Sequence, residues 1–371
     1  MMTVRERIEA VLRGELPDRV PFTIYSQMLP RGQVERGLRQ RGLGFSCRTN
    51  VVKWQYPNCQ VSTCQYMEEG REYERVTWRT PVGEVYFTNA LGSAYGSAWM
   101  VDHPIRTRDD YRIVTFIAED ARPVLIDDEV RRLQEALGED GYVIGSLGHY
   151  SPLMEIVVNL LGVLNFGYEM ADNADLFWSL YEALCAKMRR AYPLAAQSPV
   201  RLLIYDGNFH PQVIGAQRLT QYILPCYEEL GGYLHEQGKL LGSHLDADNL
   251  TFLEAVAASS IDVIEAFTPP PDCSLTLLEA RAAWPGKIIW SNFPSSVHLA
   301  EPEVVFRTAL DLLGETAPGD RFIMGITEDI PEDRWRISLN AIADALEESG
   351  CTPIQRRSVQ REGGGTPHDD S

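Results

Sequence analysis

Gly238-Lys239-Leu240-Leu241-Gly242-Ser243-His244-Leu245-Asp246-Ala247-Asp248-Asn249 is followed by Ile261-Asp262-Val263-Ile264-Glu265-Ala266-Phe267. Each is a short apolar run that ends on a chemically active side chain. A strand that delivers a histidine or carboxylate at its end, repeated along one chain, is how a barrel of parallel strands assembles a reaction site. The rest of the sequence can be read for that repetition.

Further runs occur at Val20–Tyr25, near Val51–Tyr56, and at Tyr142–Leu147, Leu202–Tyr205, Ile288–Ser291 and Phe322–Ile326. With the two quoted runs they make eight, and after residue 120 segments of helical spacing separate them. That alternation predicts β/α units and a (β/α)8 TIM barrel. An open doubly wound sheet would call for a Gly-rich phosphate loop, and none is found. Ile8, Val11 and Leu12 share one side of a helix over residues 3–14. Residues 31–115 read as irregular, except for a hairpin of Tyr73–Trp78 and Glu84–Thr88 around Pro81-Val82-Gly83. This region is expected to be an insertion covering the barrel mouth. The expected organisation is one domain over residues 1–350, followed by a polar, Gly-rich, disordered tail at 351–371.

A chain of 371 residues that is 44% hydrophobic can bury a large core. Its formal charge of −18 argues against a nucleic-acid groove, which needs clustered Lys and Arg. None of the seven cysteines forms a C-x-x-C pair. The opening is charged and amphipathic rather than a signal peptide, and no apolar run approaches the roughly 20 residues of a membrane span. The expectation is a reduced, cytoplasmic protein with no nucleic-acid or membrane partner.

Reading just past each run gives Gln27, His149, Asp206, Asn208, His244, Asp246, Glu265, Asn292 and Glu328. In a barrel these ends converge on one mouth, where a small substrate would bind. Asp248 and Asn249 also suit an N-cap before Leu250. His244 and Asp246 alternate across one residue, so on a strand both face the same way. With Glu328 they would form a set of one histidine and two carboxylates, suited to Zn2+ or another divalent ion. The same residues could serve as proton donors and hydrogen-bond partners with no ion. Trp54, Trp78, Trp99 and Tyr150 could line a flat apolar ligand or simply pack the core and hairpin.

Arg7-Ile8-Glu9-Ala10-Val11-Leu12-Arg13-Gly14-Glu15-Leu16-Pro17-Asp18-Arg19-Val20-Pro21-Phe22 resembles the N-terminus of the uroporphyrinogen decarboxylase superfamily, which includes cobalamin-dependent methyltransferases. The similarity continues through Thr80–Glu84, Asp109–Tyr111, His235–His244, Asp262–Pro269 and Gly325–Pro331. The resemblance implies a (β/α)8 barrel. True decarboxylases of this family carry an Arg-rich loop for the substrate carboxylates, and the matching Tyr25–Gly32 keeps one arginine. The methyltransferase branch places zinc on a His-x-Cys pair and a later Cys. Here His244 matches the histidine, and Asp246 and Glu328 stand at or near the thiolate positions.

The resemblance therefore implies an enzyme that moves a methyl group between a small substrate and a corrinoid carried by a partner protein. His244, Asp246 and Glu328 would hold zinc or protonate the leaving atom, while Asp206, Asn208, Glu265, Asn292, His149 and Gln27 would contact substrate. Decarboxylation of a tetrapyrrole or smaller acid, and a non-catalytic barrel that binds a corrinoid or small ligand, are the alternatives.

Overall fold

The structure is a computed structural model that describes residues 1–92, 98–207 and 209–355. Eight parallel strands close into a barrel: β1 (Phe22–Tyr25), β2 (Leu43–Asn50), β3 (Gly141–Tyr150), β4 (Leu202–Asp206), β5 (Leu240–His244), β6 (Val263–Phe267), β7 (Ile288–Asn292) and β8 (Phe322–Ile326). Each strand pairs with its neighbours in chain order, and β1 closes the ring against β8. Helices alternate with the strands after β3, as the sequence rhythm predicts.

Strand geometry sorts the side chains, because successive residues point to opposite faces. Leu203, Leu241, Ile264, Ile289, Phe322 and Met324 join the large outer core beneath the helices. Ile144, Leu202, Ile204, Val263, Trp290 and Ile323 form a second, inner cluster. The helix Val4–Leu12 plugs the lower end of the barrel, with Ile8, Val11 and Leu12 packed into that inner cluster. Its start is fixed by a capping box, in which Thr3 and Glu6 satisfy each other's backbone N–H groups. The inner layer is thus sealed below, and the same parity carried upward delivers residues 25, 48, 146, 206, 244, 265 and 292 to the inner face of the mouth.

Trp290 is the keystone of the inner layer. It is almost fully buried, and its indole N–H donates to Thr23 Oγ1 at 2.9 Å. The ring lies against Gly325, where an added Cβ would come within 3.0 Å of the indole and 2.5 Å of the Ser291 carbonyl oxygen. Gly325 is therefore required by close approach.

One strand lies elsewhere than the sequence reading put it. The second barrel strand, expected near Val51–Tyr56, is Leu43–Asn50, and Val52–Gln55 instead pairs antiparallel with Arg122–Leu125. Leu43, Phe45 and Cys47 supply the apolar outer face of β2, while Ser46 and Arg48 face inward. Those inward polar residues hide the strand inside the stretch read as irregular. The expected hairpin does form, with Thr80 opposite Gly83, within an antiparallel sheet of Gln60–Glu68, Arg71–Thr80, Gly83–Ala90 and Trp99–Asp102.

Residues 351–355, read from sequence as the start of the tail, are tied to the barrel. Cys351 bridges to Arg19, and the Ile354 N–H donates to the Pro318 carbonyl at 2.8 Å. The remainder of the expected tail lies outside the described residues. Among those described, no single helix is long and apolar enough to cross a membrane.

Trp290→Ala should lower stability by about 3–5 kcal/mol, by emptying the inner layer and stranding Thr23. Thr23→Val, which removes only the hydrogen bond, should lose about 1 kcal/mol. Urea unfolding measures both, and equal losses would show that the indole's packing is not what holds this layer.

Candidate active site

Glu265, at the tip of β6, is fully buried and accepts from three donors on three other strands. The Tyr25 hydroxyl donates to Oε1, while Arg48 Nη2 at 2.5 Å and His244 Nδ1 at 2.6 Å converge on Oε2. Arg48 Nη2 and His244 Nδ1 are themselves 3.0 Å apart. Both are donors aimed at one carboxylate oxygen, so the shared anion holds them together. Arg48 Nη1 continues to Asp206 Oδ1 at 3.0 Å, and Ser146 donates to the other Asp206 oxygen at 3.0 Å. A single network therefore joins the tips of β1 to β6.

Local backbone geometry aims the carboxylate. Residue 266 is an alanine at φ 62°, a left-handed conformation that a non-glycine residue rarely adopts, and the pairing of β6 with β7 shifts register there. The irregularity behaves as a bulge that sets the direction of the neighbouring side chain. The Thr268 hydroxyl donates to the Ala266 carbonyl at 3.1 Å and braces the turn. On the adjacent strand His244 stands directly beside Glu265 in register.

Burial alone would raise Glu265, but the charges of Arg48 and His244 and the donors on it hold it down at about 2. Burial would likewise lower His244, yet Glu265 and the hydrogen bonds to Asp246 and Glu265 lift it to about 9. Asp246 is pushed up by burial and drawn further down by His244, for a net decrease. His244 is consequently an imidazolium at neutral pH. Its Nδ1–H is committed to Glu265, and its Nε2 lies 3.4 Å from Asp246 Oδ2.

These groups border an open cavity of about 700 Å3 at the mouth, lined in part by Tyr25, Arg48, Asp206, His244, His149 and Thr327. Of the residues expected from sequence, Asp206, His244 and Glu265 meet in one network, Asp246 adjoins it, and His149 lines the cavity wall. Glu328 accepts from Ser295 Oγ at 2.6 Å and is not among the residues lining that cavity. Asn292 is fully buried, and its Oδ1 accepts the Thr327 N–H at 3.0 Å, bracing the loop after β8. Gln27 is exposed in the turn after β1, and Asn208 lies outside the described residues. Asp248 is an N-cap, accepting from the Leu250 N–H.

Arg48 and Tyr25 went unflagged from sequence. Tyr25 ends an apolar run, and Arg48 lies in a strand that was itself hidden. The available signal was the alternation Leu43, Phe45, Cys47 against Ser46, Arg48, which ends on an inward cation.

A metal does not suit this donor set. Arg48 already supplies the positive charge between Glu265 and Asp206, and His244 Nδ1 is occupied as a donor. Among the described residues, no three His, Cys, Asp or Glu side chains are grouped as metal ligands would be.

No protein-family model matches the chain, and no curated protein matches it. Among solved structures, a methyltransferase from Methanosarcina mazei is similar at a TM-score of 0.56 and 12% identity, over 94% of this chain and 99% of that one. A structure described as a vitamin-B12 independent methionine synthase from Listeria monocytogenes gives a TM-score of 0.34 at 12% identity, covering 66% of this chain and 70% of its own. A pneumococcal exo-β-D-N-acetylglucosaminidase gives 0.37 at 11% identity, with 88% and 85% covered. The first likeness shows a shared barrel fold.

Glu265→Gln should destabilise the protein by about 3–5 kcal/mol, since it leaves Arg48 and His244 buried beside a neutral amide. In the parent, His244 contributes stability that is complete below its ordinary 6.5 and lost as pH rises through about 9. Glu265 contributes above its ordinary 4.5, and that part is lost as pH falls through about 2. The variant should lose the alkaline transition, and His244 should titrate well below 9 by imidazole NMR. An unchanged His244 titration would refute Glu265 as its anchor.

Proposed function

We propose that this chain is a methyltransferase whose barrel mouth protonates the leaving atom of a small methyl donor while a corrinoid carried by a partner protein accepts the methyl group. The observation that carries the reading is the placement of His244, whose Nδ1 is anchored on the buried Glu265 while the residue borders an open cavity. The sequence resemblance to cobalamin-dependent methyltransferases and the fold shared with the Methanosarcina mazei enzyme support it.

Moving a methyl group from oxygen or nitrogen breaks the carbon–heteroatom bond and leaves the electron pair on the heteroatom. A reduced corrinoid supplies the attacking pair. The leaving anion is poor unless a proton reaches it during the transfer, and a positioned acid typically gives about 10²–10⁴-fold. His244 can donate that proton from Nε2, with Asp246 alongside to orient the N–H. Glu265 keeps the imidazole charged and fixed before substrate arrives, so no reorganisation is needed at the moment of transfer. No step passes through zinc in this reading, because the donor set does not suit it.

The mouth also bears on decarboxylation of a polycarboxylate. Its two cations, Arg48 and His244, face three carboxylates, Asp206, Glu265 and Asp246, leaving a net charge of one negative. An uncharged donor fits that balance better than a polyanion.

Corrinoid absorbance tests the proposal: with reduced corrinoid and candidate donors, the spectrum should shift on methylation. His244→Gln should lower kcat by about 10²–10⁴-fold for oxygen or nitrogen donors. With a methyl sulfonium donor, whose leaving group departs neutral, the same variant should lose less than about tenfold. Absence of a spectral change with every donor class would sink the reading. Dialysis against a chelator should leave turnover intact, and metal-dependent loss would restore the zinc assignment.

A further inference from the structure

The antiparallel sheet between β2 and β3 has two unlike edges. One, Trp99–Asp102, is four residues long, and a short edge strand is one way in which proteins avoid unwanted pairing. The other, Gln60–Glu68, is nine residues long, pairs within the sheet only with Arg71–Thr80, and is exposed at every position except the half-buried Tyr66. Trp78, Val85 and Phe87 turn one face of the sheet onto an apolar cavity of about 330 Å3 against the barrel's helices, but no residue from 60 to 68 lines it.

The turn determines which backbone groups of this edge are free. Glu69 and Gly70, at φ 48° and 78°, form a two-residue hairpin loop between Glu68 and Arg71. Such a loop closes on a hydrogen-bonded pair, and bonded and non-bonded pairs alternate along the ladder. Residues 60, 62, 64, 66 and 68 therefore bond inward. Val61, Thr63, Gln65 and Met67 turn their N–H and C=O groups to the open side. The strand carries none of the usual guards: it has no proline, no lysine, no register shift, and one charge, Glu68, at its end. Val61 and Met67 are also large apolar side chains left exposed, at 51% and 65%.

We infer that Gln60–Glu68 is the interface of a two-fold dimer, in which it pairs antiparallel with the same strand of a second copy about its midpoint, Cys64. In that register the exposed side chains complement themselves. Val61 of each copy falls opposite Met67 of the other, Thr63 opposite Gln65, Ser62 opposite Tyr66, and Glu68 opposite the neutral Gln60. The outward N–H and C=O groups of one copy meet those of the other. A slip of one residue would set outward groups against inward ones, and a two-fold about Thr63 or Gln65 would leave Met67 or Val61 beyond the opposing strand. Two copies of a chain at −18 repel over most of their surface, whereas this strip carries one charge and sets no like charges opposite each other. Because both copies use the same edge, the contact closes at two and consumes it.

The test is sedimentation of the full chain over a range of concentrations, which should reveal a species of twice the chain mass. Thr63→Pro removes an outward N–H and no inward bond, a position where an edge strand accepts proline, and should weaken the dimer by about 100-fold or more while His244 keeps its NMR titration. If that variant does not fold, Thr63→Lys combined with Gln65→Lys sets lysine opposite lysine and should have the same effect. The register has its own readout. Facing Cys64 residues form a non-bonded pair with Cα atoms about 4.5 Å apart, within reach of a disulfide. Diamide, which takes up the two electrons and two protons released, should therefore link the dimer. Cys64→Ser should abolish the link, and Cys351→Ser, at the other exposed cysteine, should not. A monomer at all concentrations, a dimer indifferent to the edge variants, a dimer that diamide does not link through Cys64, or an assembly larger than two overturns the inference.

Discussion

The buried carboxylate of Glu265 is the constraint around which the upper half of this molecule is organised. A lone carboxylate taken out of water is destabilised by several kcal/mol. Here Tyr25 from β1, Arg48 from β2 and His244 from β5 satisfy it together. Residues that are distant in sequence meet at one anion because the sheet closes, bringing β1 and β2 across from β6. Closure of the barrel and formation of the site are therefore the same event. The dependence also runs in reverse, since Glu265 keeps His244 charged and Arg48 in place in an otherwise poorly solvated space.

Below that network, chemistry gives way to packing within a few residues. Asp206 stands two positions above Ile204, Glu265 two above Val263 and Asn292 two above Trp290, all on the inner face of their strands. The apolar layer and the helical plug keep water from reaching the network from beneath. Water has access through the mouth. A low local dielectric strengthens each charge interaction at the tips and makes any unpaired group more costly. The same feature explains why Asp206 is held by both Arg48 and Ser146 rather than left to solvent.

The fold was legible from sequence wherever a strand had an apolar outer face and an apolar inner base, as at Leu202–Tyr205 and Phe322–Ile326. It was hidden at β2, whose inward positions are Gly44, Ser46 and Arg48, so the run lacks continuous hydrophobicity. The apolar Val51-Val52 that follows drew the assignment downstream. His244, Asp206 and Glu265 were legible as polar ends of clear strands. What sequence could not supply was their partners: spacing says that Glu265 ends a strand, but not that Tyr25 lies opposite it. Glu328 shows the converse, a strand-end carboxylate that turns to Ser295 instead.

The segment between β2 and β3 carries a second layer of design. Its antiparallel sheet forms a wall that the barrel alone would lack, and Trp78, Val85 and Phe87 line the apolar cavity together with Leu184 and Lys187 of the helix Ala174–Arg189. The charged network and the apolar cavity are thereby separated: the first is built from barrel strand tips, the second largely from the insertion and one helix. His149 borders both spaces, contacting Lys187 on one side and lining the mouth on the other. Strand tips fixed by a buried carboxylate tolerate little change, because each substitution strands a charge. The sheet's apolar side chains carry no charge to strand, so volume-conserving exchanges at residues such as Val85 and Phe87 can reshape this wall while the network around Glu265 stays as it is.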